Sequence, residues 1–237
     1  IFKINEKKLI NICGAAECIH SYSLIHDDLP CMDDDSFRRG KLSTHKKFGE
    51  ATAVLAGNSL LTLAFEILAD ENYLLNAKDK NKIIKALAFC SGHTGIAGGQ
   101  ELDLKFEKKT KNLKQIINMQ KKKTGKLFNF CLFAVGVLAK KNRKENIFWS
   151  NLGEEIGLLF QFADDILDVK GSKKLVGKPI KKDDKKGKST LVNLIGYKKA
   201  HLYAYNLKKK ILKKLEKHGK KAKDLSDTIE FILGRKY

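Results

Sequence analysis

Proline is almost missing from this chain. Only Pro30 and Pro179 occur in 237 residues, each beside a charged motif, so nearly all of the sequence is free of the strongest helix breaker. Long uninterrupted apolar runs are missing too. The most hydrophobic stretches are 51–69, broken by Gly57, Asn58 and Glu66, and 127–139, too short for a bilayer. Both are read as buried core helices, and no membrane span is expected. Five cysteines (Cys13, Cys18, Cys31, Cys90 and Cys131) form no CxxC pair and leave an odd count. That argues against a zinc site or a disulfide framework and fits a reducing cytoplasm. No signal peptide is visible, and since Ile1 is not an initiator the chain is expected to begin inside a larger protein.

Arginine is scarce as well. The formal charge of +20 invites a nucleic-acid reading, because a basic surface releases counterions when it meets phosphates. Yet of 47 basic residues only Arg38, Arg39, Arg143 and Arg235 carry the bidentate guanidinium that base and phosphate recognition favours. Lysine is spread over the whole length like a compositional bias, so no nucleic-acid partner is expected.

What remains is periodic and helical. One domain, 1–237, is expected, with helices over 9–28, 50–69, 79–97, 112–139, 144–169 and within 191–237. Pro30 disfavours helical geometry at Leu29, so the first helix should end at the first aspartates. Residues 170–190, rich in Gly and Lys without apolar period, read as a mobile basic loop.

Eight aspartates carry most of the chemistry: Asp27, Asp28, Asp33, Asp34 and Asp35 in HDDLPCMDDDSFRRG, and Asp164, Asp165 and Asp168 in FQFADDILD. Carboxylates so close together raise one another's pKa or repel unless multivalent cations sit between them. Hard oxygen donors suit Mg²⁺, which keeps waters and is completed by substrate phosphates, so a diphosphate ligand is implied. Gln161, Asp164, Asp165 and Asp168 follow helical i, i+3, i+4, i+7 spacing and share one face. The loop HDDLPCMDDD is no EF-hand, since it lacks that motif's central Gly and terminal Glu.

The segments ECIHSYSLIHDDLPCMDDDSFRRG, KFGEATAVLAGNSLLTLAFEIL, GGQELDL, KTGKL, FQFADDILD and GKST resemble the trans-isoprenyl diphosphate synthases of the bacterial farnesyl diphosphate synthase type, over nearly the whole chain. The resemblance implies an all-α, single-domain helical bundle around a deep central cavity, the isoprenoid synthase fold. The family's upstream helices, with their Gly-Lys-Arg motif, are absent from this sequence, so the polyprenyl synthetase domain is expected to be N-terminally incomplete. The implied activity is Mg²⁺-dependent, head-to-tail condensation of isopentenyl diphosphate with dimethylallyl and geranyl diphosphate, giving farnesyl diphosphate. Three Mg²⁺ ions per site and a homodimer in the cytoplasm are implied with it.

Matched residue by residue, Asp27 and Asp33 look like metal ligands of the first motif, with Asp28 supporting, and Asp164 and Asp168 like those of the second. Arg38 resembles the contact to the allylic diphosphate, and Arg39 and His20 the contacts to isopentenyl diphosphate. Lys123, Thr124, Gln161, Lys178 and Lys188 resemble further contacts to the allylic substrate. Asp27, Lys123, Gln161 and Asp164 are the expected catalytic group. Breaking the allylic C–O bond makes a carbocation and a diphosphate, which calls for metal and cationic stabilisation of the leaving group in a pocket closed to water.

Ile19 and Tyr22 precede Asp27 by eight and five residues and are expected on the cavity wall, with Tyr22 as a floor that sets product length. The competing readings are a geranylgeranyl or longer-chain synthase of the same family, an inactive prenyl-diphosphate-binding fragment, and a class I terpene cyclase. The DDILD motif argues against the cyclase, which would carry an Asn/Ser/Glu metal triad.

Overall fold

Helix α1 spans Glu6–Asp27, opened by the Asn5 side chain, which accepts the Lys7 N–H at 2.9 Å, and closed at Asp28 just before Pro30. The computed structural model describes residues 1–107, 109, 111–174 and 190–235, with backbone alone for 170–174. After α1 comes an antiparallel hairpin of β1 (Phe37–Arg38) and β2 (Lys41–Leu42). Its two-residue turn, Arg39-Gly40, has φ of 51° and 77°, the pair of positive values that a type I′ turn requires. The sequence reading contained no strand here.

Short α2 (Thr44–Phe48) leads into α3 (Glu50–Ala69), then α4 (Ala77–Ser91) and α5 (Ile96–Phe106). The helix expected over 79–97 therefore breaks at its glycines. The chain doubles back so tightly there that a Cβ on Gly95 would lie 1.8 Å from the Cys90 carbonyl oxygen. The expected 112–139 helix is one rod in three parts: α6 (Leu113–Gln120), a π-helical turn at Lys121–Gly125, and α7 (Lys126–Leu138). Helix α8 runs Arg143–Lys174, so 170–174 are helical rather than part of a loop; the rest of the expected basic loop, 175–189 with Lys178 and Lys188, lies outside the described residues. The chain ends in helices Leu191–Ile195, Tyr197–Leu215 and Lys223–Gly234, with a 3₁₀ stretch at Glu216–Ala222.

Two apolar cores flank α7. Ile12, Ile19 and Tyr22 of α1, Ala64 and Leu68 of α3, and Ile83 and Leu87 of α4 pack with Phe130, Ala134 and Val137 of α7 in one. In the other, Leu152, Leu159 and Phe162 of α8 pack with Leu191, Ile211 and Leu215, and α7 adds Phe128 and Leu132 at its margin. Each fully buried large side chain stabilises the fold by about 1.5–3 kcal/mol. Helix α3 departs from the expectation of a buried core helix. Ala53, Gly57, Ala64 and Leu68 face inward, with Gly57 seated against the His26 ring, while Val54, Leu55 and Leu63 are exposed. It is also the one helix among the described residues long and apolar enough to cross a membrane by length and composition.

A polar clamp ties α4 to the end of α7. Asn76 caps α4 by accepting the Asp79 N–H at 2.9 Å and returns a 2.9 Å hydrogen bond to the Asp79 carboxylate. Lys82 reaches the same carboxylate at 3.2 Å, and Lys140, in the left-handed conformation beyond α7, closes on it from the other side. Burial pushes the Asp79 carboxyl up, but the bonds from Lys140, Asn76 and Lys82 outweigh it and bring the pKa down to about 2. A carboxylate depressed on folding stabilises above its unfolded pKa, about 3.9, and that contribution fades as pH falls through the folded value. Asp79→Asn should thus lower stability by about 2 kcal/mol in urea titrations at neutral pH, the loss of hydrogen bonds to a charged group. The gap to the wild type should close as pH falls from about 4 towards 2.

Candidate active site

A cavity of about 860 Å³ opens between α1, the hairpin, α5, the α6–α7 rod and α8. Glycine makes this close assembly possible. A Cβ on Gly99 would come within 2.2 Å of the Lys123 backbone nitrogen, and one on Gly157 within 2.7 Å of the Gly125 Cα, so α5 and α8 both press on the π turn. That turn breaks the regular ladder where Lys123 and Thr124 face the cavity, a placement typical of π-bulges at functional sites.

On the α1 side the wall carries Cys13, Ala16, Glu17, His20, Ser23, Leu24 and Asp27, and the loop after it adds Asp33 and Asp35. Across from it, α8 contributes Phe160, Gln161, Asp164, Asp165 and Asp168. The two aspartate rows thus line one hollow, with Arg38, Arg39 and Lys123 among them. Deeper, Ile96, Leu127 and Cys131 make an apolar end continuous with the first core; burial there pushes the Cys131 thiol up to about 12. The cavity is therefore polar and charged at one end and greasy at the other, the shape of an amphiphile with a polar head. Among the described residues no three Asp, Glu, His or Cys side chains gather closely enough to hold a metal ion unaided. A cation here would draw its remaining ligands from a bound molecule, as Mg²⁺ commonly does.

The cationic side chains are held in place. Arg38 donates from Nε to Asp28 at 3.2 Å, ion-pairs with the same carboxylate through Nη2, and lies 3.8 Å from Asp35. The hydrogen bond to Asp28 raises the Arg38 pKa further, against the opposing effect of burial. Lys123 donates to Asp103 at 2.7 Å and lies 3.9 Å from Asp27. Arg39 approaches His20 Nε2 at 3.4 Å. Burial lowers the His20 pKa, opposed by Glu17 and aided by Arg39 and Arg38, which favours the neutral imidazole that can accept from the guanidinium.

On α8 the Gln161 amide is engaged at both ends. Gln161 accepts the Thr124 hydroxyl at 2.9 Å and donates to Asp165 at 3.0 Å, while Gln120 donates to the other Asp165 oxygen at 2.9 Å. The Leu191 N–H reaches that same oxygen at 3.3 Å, so Asp165 fastens α6, α8 and the segment after 189 to one point.

Three expectations need correction. Asp28 does not join Asp27 and Asp33 on the wall: it is 2% exposed and its carboxylate is taken by Arg38. Ile19 and Tyr22 are not on the cavity wall either, but in the core facing α3 and α4, with the Tyr22 ring edge-on to His26. A helix turns about 100° per residue, so a position five residues before Asp27 lies about 140° round the axis from it. Sequence reasoning also missed Arg235, which closes on Asp164 and lies 4.3 Å over the Phe160 ring. Its signal was rarity: three of the four arginines in a lysine-rich chain meet at this site. Asp164 is pushed up to about 6 by burial, with Arg235 pulling it down and Asp168 pushing it up.

Comparison with known proteins agrees with this geometry. The family model for polyprenyl synthetase matches residues 1–230. A farnesyl diphosphate synthase of Micrococcus luteus is 45% identical over 182 residues, covering 77% of this chain and 62% of that protein. The Escherichia coli farnesyl diphosphate synthase is 40% identical over 241 residues, 99% of this chain and 80% of that one. The chain thus spans about three fifths to four fifths of the length of these relatives. Among solved structures, an FPP/GFPP synthase of Zymomonas mobilis superposes with a TM-score of 0.86 at 37% identity, over 98% of this chain and 78% of that one. A Helicobacter pylori geranyltransferase complexed with magnesium and isoprenyl diphosphate gives 0.82 at 35%, over 96% and 74%. With a helical bundle built round facing aspartate rows, and a family match over almost its whole length, this chain belongs to the polyprenyl synthetase family.

Proposed function

We propose that the protein condenses isopentenyl diphosphate with dimethylallyl and then geranyl diphosphate, head to tail, and releases farnesyl diphosphate. The observation that carries this reading is the single hollow shared by the two aspartate rows, charged at its mouth and apolar at depth. Its similarity to farnesyl diphosphate synthases supports the product class. Asp27 and Asp33 on one wall, with Asp164 and Asp168 on the other, would hold Mg²⁺, three ions in all, and the donor set of hard carboxylate oxygens fits that metal. Bound there, Mg²⁺ supplies Lewis-acid neutralisation of the departing diphosphate.

The chain's own residues do the rest. Arg38, braced by Asp28, and Lys123, braced by Asp103, meet the allylic diphosphate and stabilise charge as it grows on the leaving group. Thr124 and Gln161, joined by their hydrogen bond, orient the same substrate. Arg39 and neutral His20 receive the second diphosphate. The apolar end keeps water from the allylic cation until the isopentenyl double bond attacks. The released diphosphate then takes the departing proton, so no protein base is required.

The protein works as a cytoplasmic homodimer in this reading. Exposed Val54, Leu55 and Leu63 on α3, beside a shallow groove lined by Leu55, Asn58, Ser59, Thr62, Leu63 and Glu66, offer a self-complementary face. The five cysteines are all free thiols, in keeping with a reducing compartment.

Turnover of isopentenyl diphosphate with each allylic diphosphate and Mg²⁺, with product chain length read by mass spectrometry, tests the function directly. Asp27→Ala and Asp164→Ala should each lower kcat by about a thousandfold or more. An active wild type with equally active variants would overturn the site assignment. Because Asp164 keeps its proton up to about pH 6, the Mg²⁺ concentration for half-maximal rate should stay flat above that pH and rise steadily below it. Leu55→Glu should convert a dimer into a folded monomer in light scattering; a wild type that is itself monomeric would reject the dimer.

A further inference from the structure

Along α5, Ile96, Gln100 and Asp103 follow one another down the cavity wall at i, i+4 and i+7 spacing. At 1.5 Å per residue, Gln100 stands about 6 Å above Ile96 and about 4.5 Å below Asp103 along the helix axis. Ile96 belongs to the apolar end, packed with Leu127 and Cys131. Asp103 belongs to the charged end through its 2.7 Å bond to Lys123. Gln100 therefore marks the level where greasy wall gives way to charge. Its height is fixed, because its neighbour Gly99 sits against the Lys123 backbone too closely for any side chain.

Gln100 is 7% exposed, and among the described residues neither the oxygen nor the nitrogen of its buried carboxamide has a hydrogen-bond partner. Gln161, in the same cavity, has both ends engaged. A buried amide left unmatched at both ends destabilises the folded state, and an apolar side chain of the same shape would not. Such a group points to a ligand that completes it.

We propose that Gln100 is a catalytic residue whose amide dipole lies along the allylic C–O bond as it breaks, oxygen towards the carbon and N–H towards the departing diphosphate. The inference rests on the prenyl-transfer reading above. In that step the C–O electron pair leaves with the diphosphate, the allylic carbons become cationic, and the isopentenyl π pair forms the new C–C bond before a proton passes to the diphosphate. Gln100 makes and breaks no bond. Its dipole is aligned with both charges as they separate, and so stabilises the transition state more than the bound substrate. A carboxylate here would attract the cation more strongly but could collapse onto it as an ester, whereas a neutral amide oxygen is a far weaker nucleophile.

The test compares the intact wild type with Gln100→Met, nearly isosteric but without the dipole, and with Gln100→Leu. Steady-state rates are measured with isopentenyl and geranyl diphosphates and Mg²⁺, alongside thermal melting. The expected result is a kcat lower by about 10²-fold in both variants, KM for geranyl diphosphate changed by less than about threefold, and a melting temperature equal to or above that of the wild type. Replacing geranyl diphosphate by its 2-fluoro analogue, in which the cation is harder to form, should slow the variants by a larger factor than it slows the wild type. An unchanged kcat, a KM effect alone, or a fall in melting temperature would overturn the assignment. A wild type without turnover would instead overturn the prenyl-transfer reading, whereas a working wild type matched by both variants sinks only the role of Gln100.

Discussion

Like-charge repulsion between carboxylates is the constraint around which the molecule is arranged. Asp27, Asp33, Asp35, Asp103, Asp164, Asp165 and Asp168 all face one hollow, and left alone they would drive its walls apart. Basic side chains and amides temper this without filling the space. Lys123 stands between Asp103 and Asp27, and Arg235 rests on Asp164 from the far end of the chain. Asp165 is satisfied by Gln120, Gln161 and the Leu191 N–H. The compensation is partial, and Asp164 shows it: burial first, and Asp168 beside it, push its carboxyl up to about 6 despite the adjacent guanidinium. Unfinished neutralisation of this kind is what gives a site affinity for added cations.

Precision comes from backbone contact. Gly99 and Gly157 bring α5 and α8 onto the π turn of Lys121–Gly125, so three elements share one point of reference for the groups facing the cavity. The polar chain Thr124–Gln161–Asp165–Gln120 then locks the side chains from within. Helix and cavity depend on each other, since the packing that seats Lys123 also excludes any side chain at residue 99. Against this background Gln100, one residue on, stands out among the described residues as the buried side chain left unmatched at both of its polar atoms.

Much of this was legible in the residues. The paucity of proline and the helical spacing gave the architecture, and the helix end at Asp27 followed from Pro30. The two aspartate windows are dense enough in like charge to suggest a shared cation, and that expectation already placed them on one cavity. What escaped had a physical reason in each case. The hairpin depends on Arg39 taking positive φ, which the sequence RRG hardly announces. Tyr22 lies in the core and not on the cavity wall with Asp27 because five residues is not a whole number of helical turns. The outward face of α3 was hidden by composition, for an apolar helix reads alike whether its cover is its own core or another molecule. Arg235 lies 71 residues from Asp164, and no local pattern encodes such a pairing.

The global charge and the local charge of this protein have opposite signs, and each does something the other cannot. The net charge of +20 draws polyanions such as diphosphates towards the surface from solution, and salt screens that attraction beyond about 8–10 Å. Inside the cavity the aspartates reverse the sign, so an anionic head that arrives bare meets repulsion there. Only a head group accompanied by divalent cations satisfies both the carboxylates and the few fixed cations Arg38, Arg39 and Lys123. In the prenyl-transfer reading, attraction at long range and rejection of the uncomplexed anion at short range would together favour a metal-bound diphosphate over other phosphates in the same water. The apolar depth beneath would then take the hydrocarbon tail of that substrate.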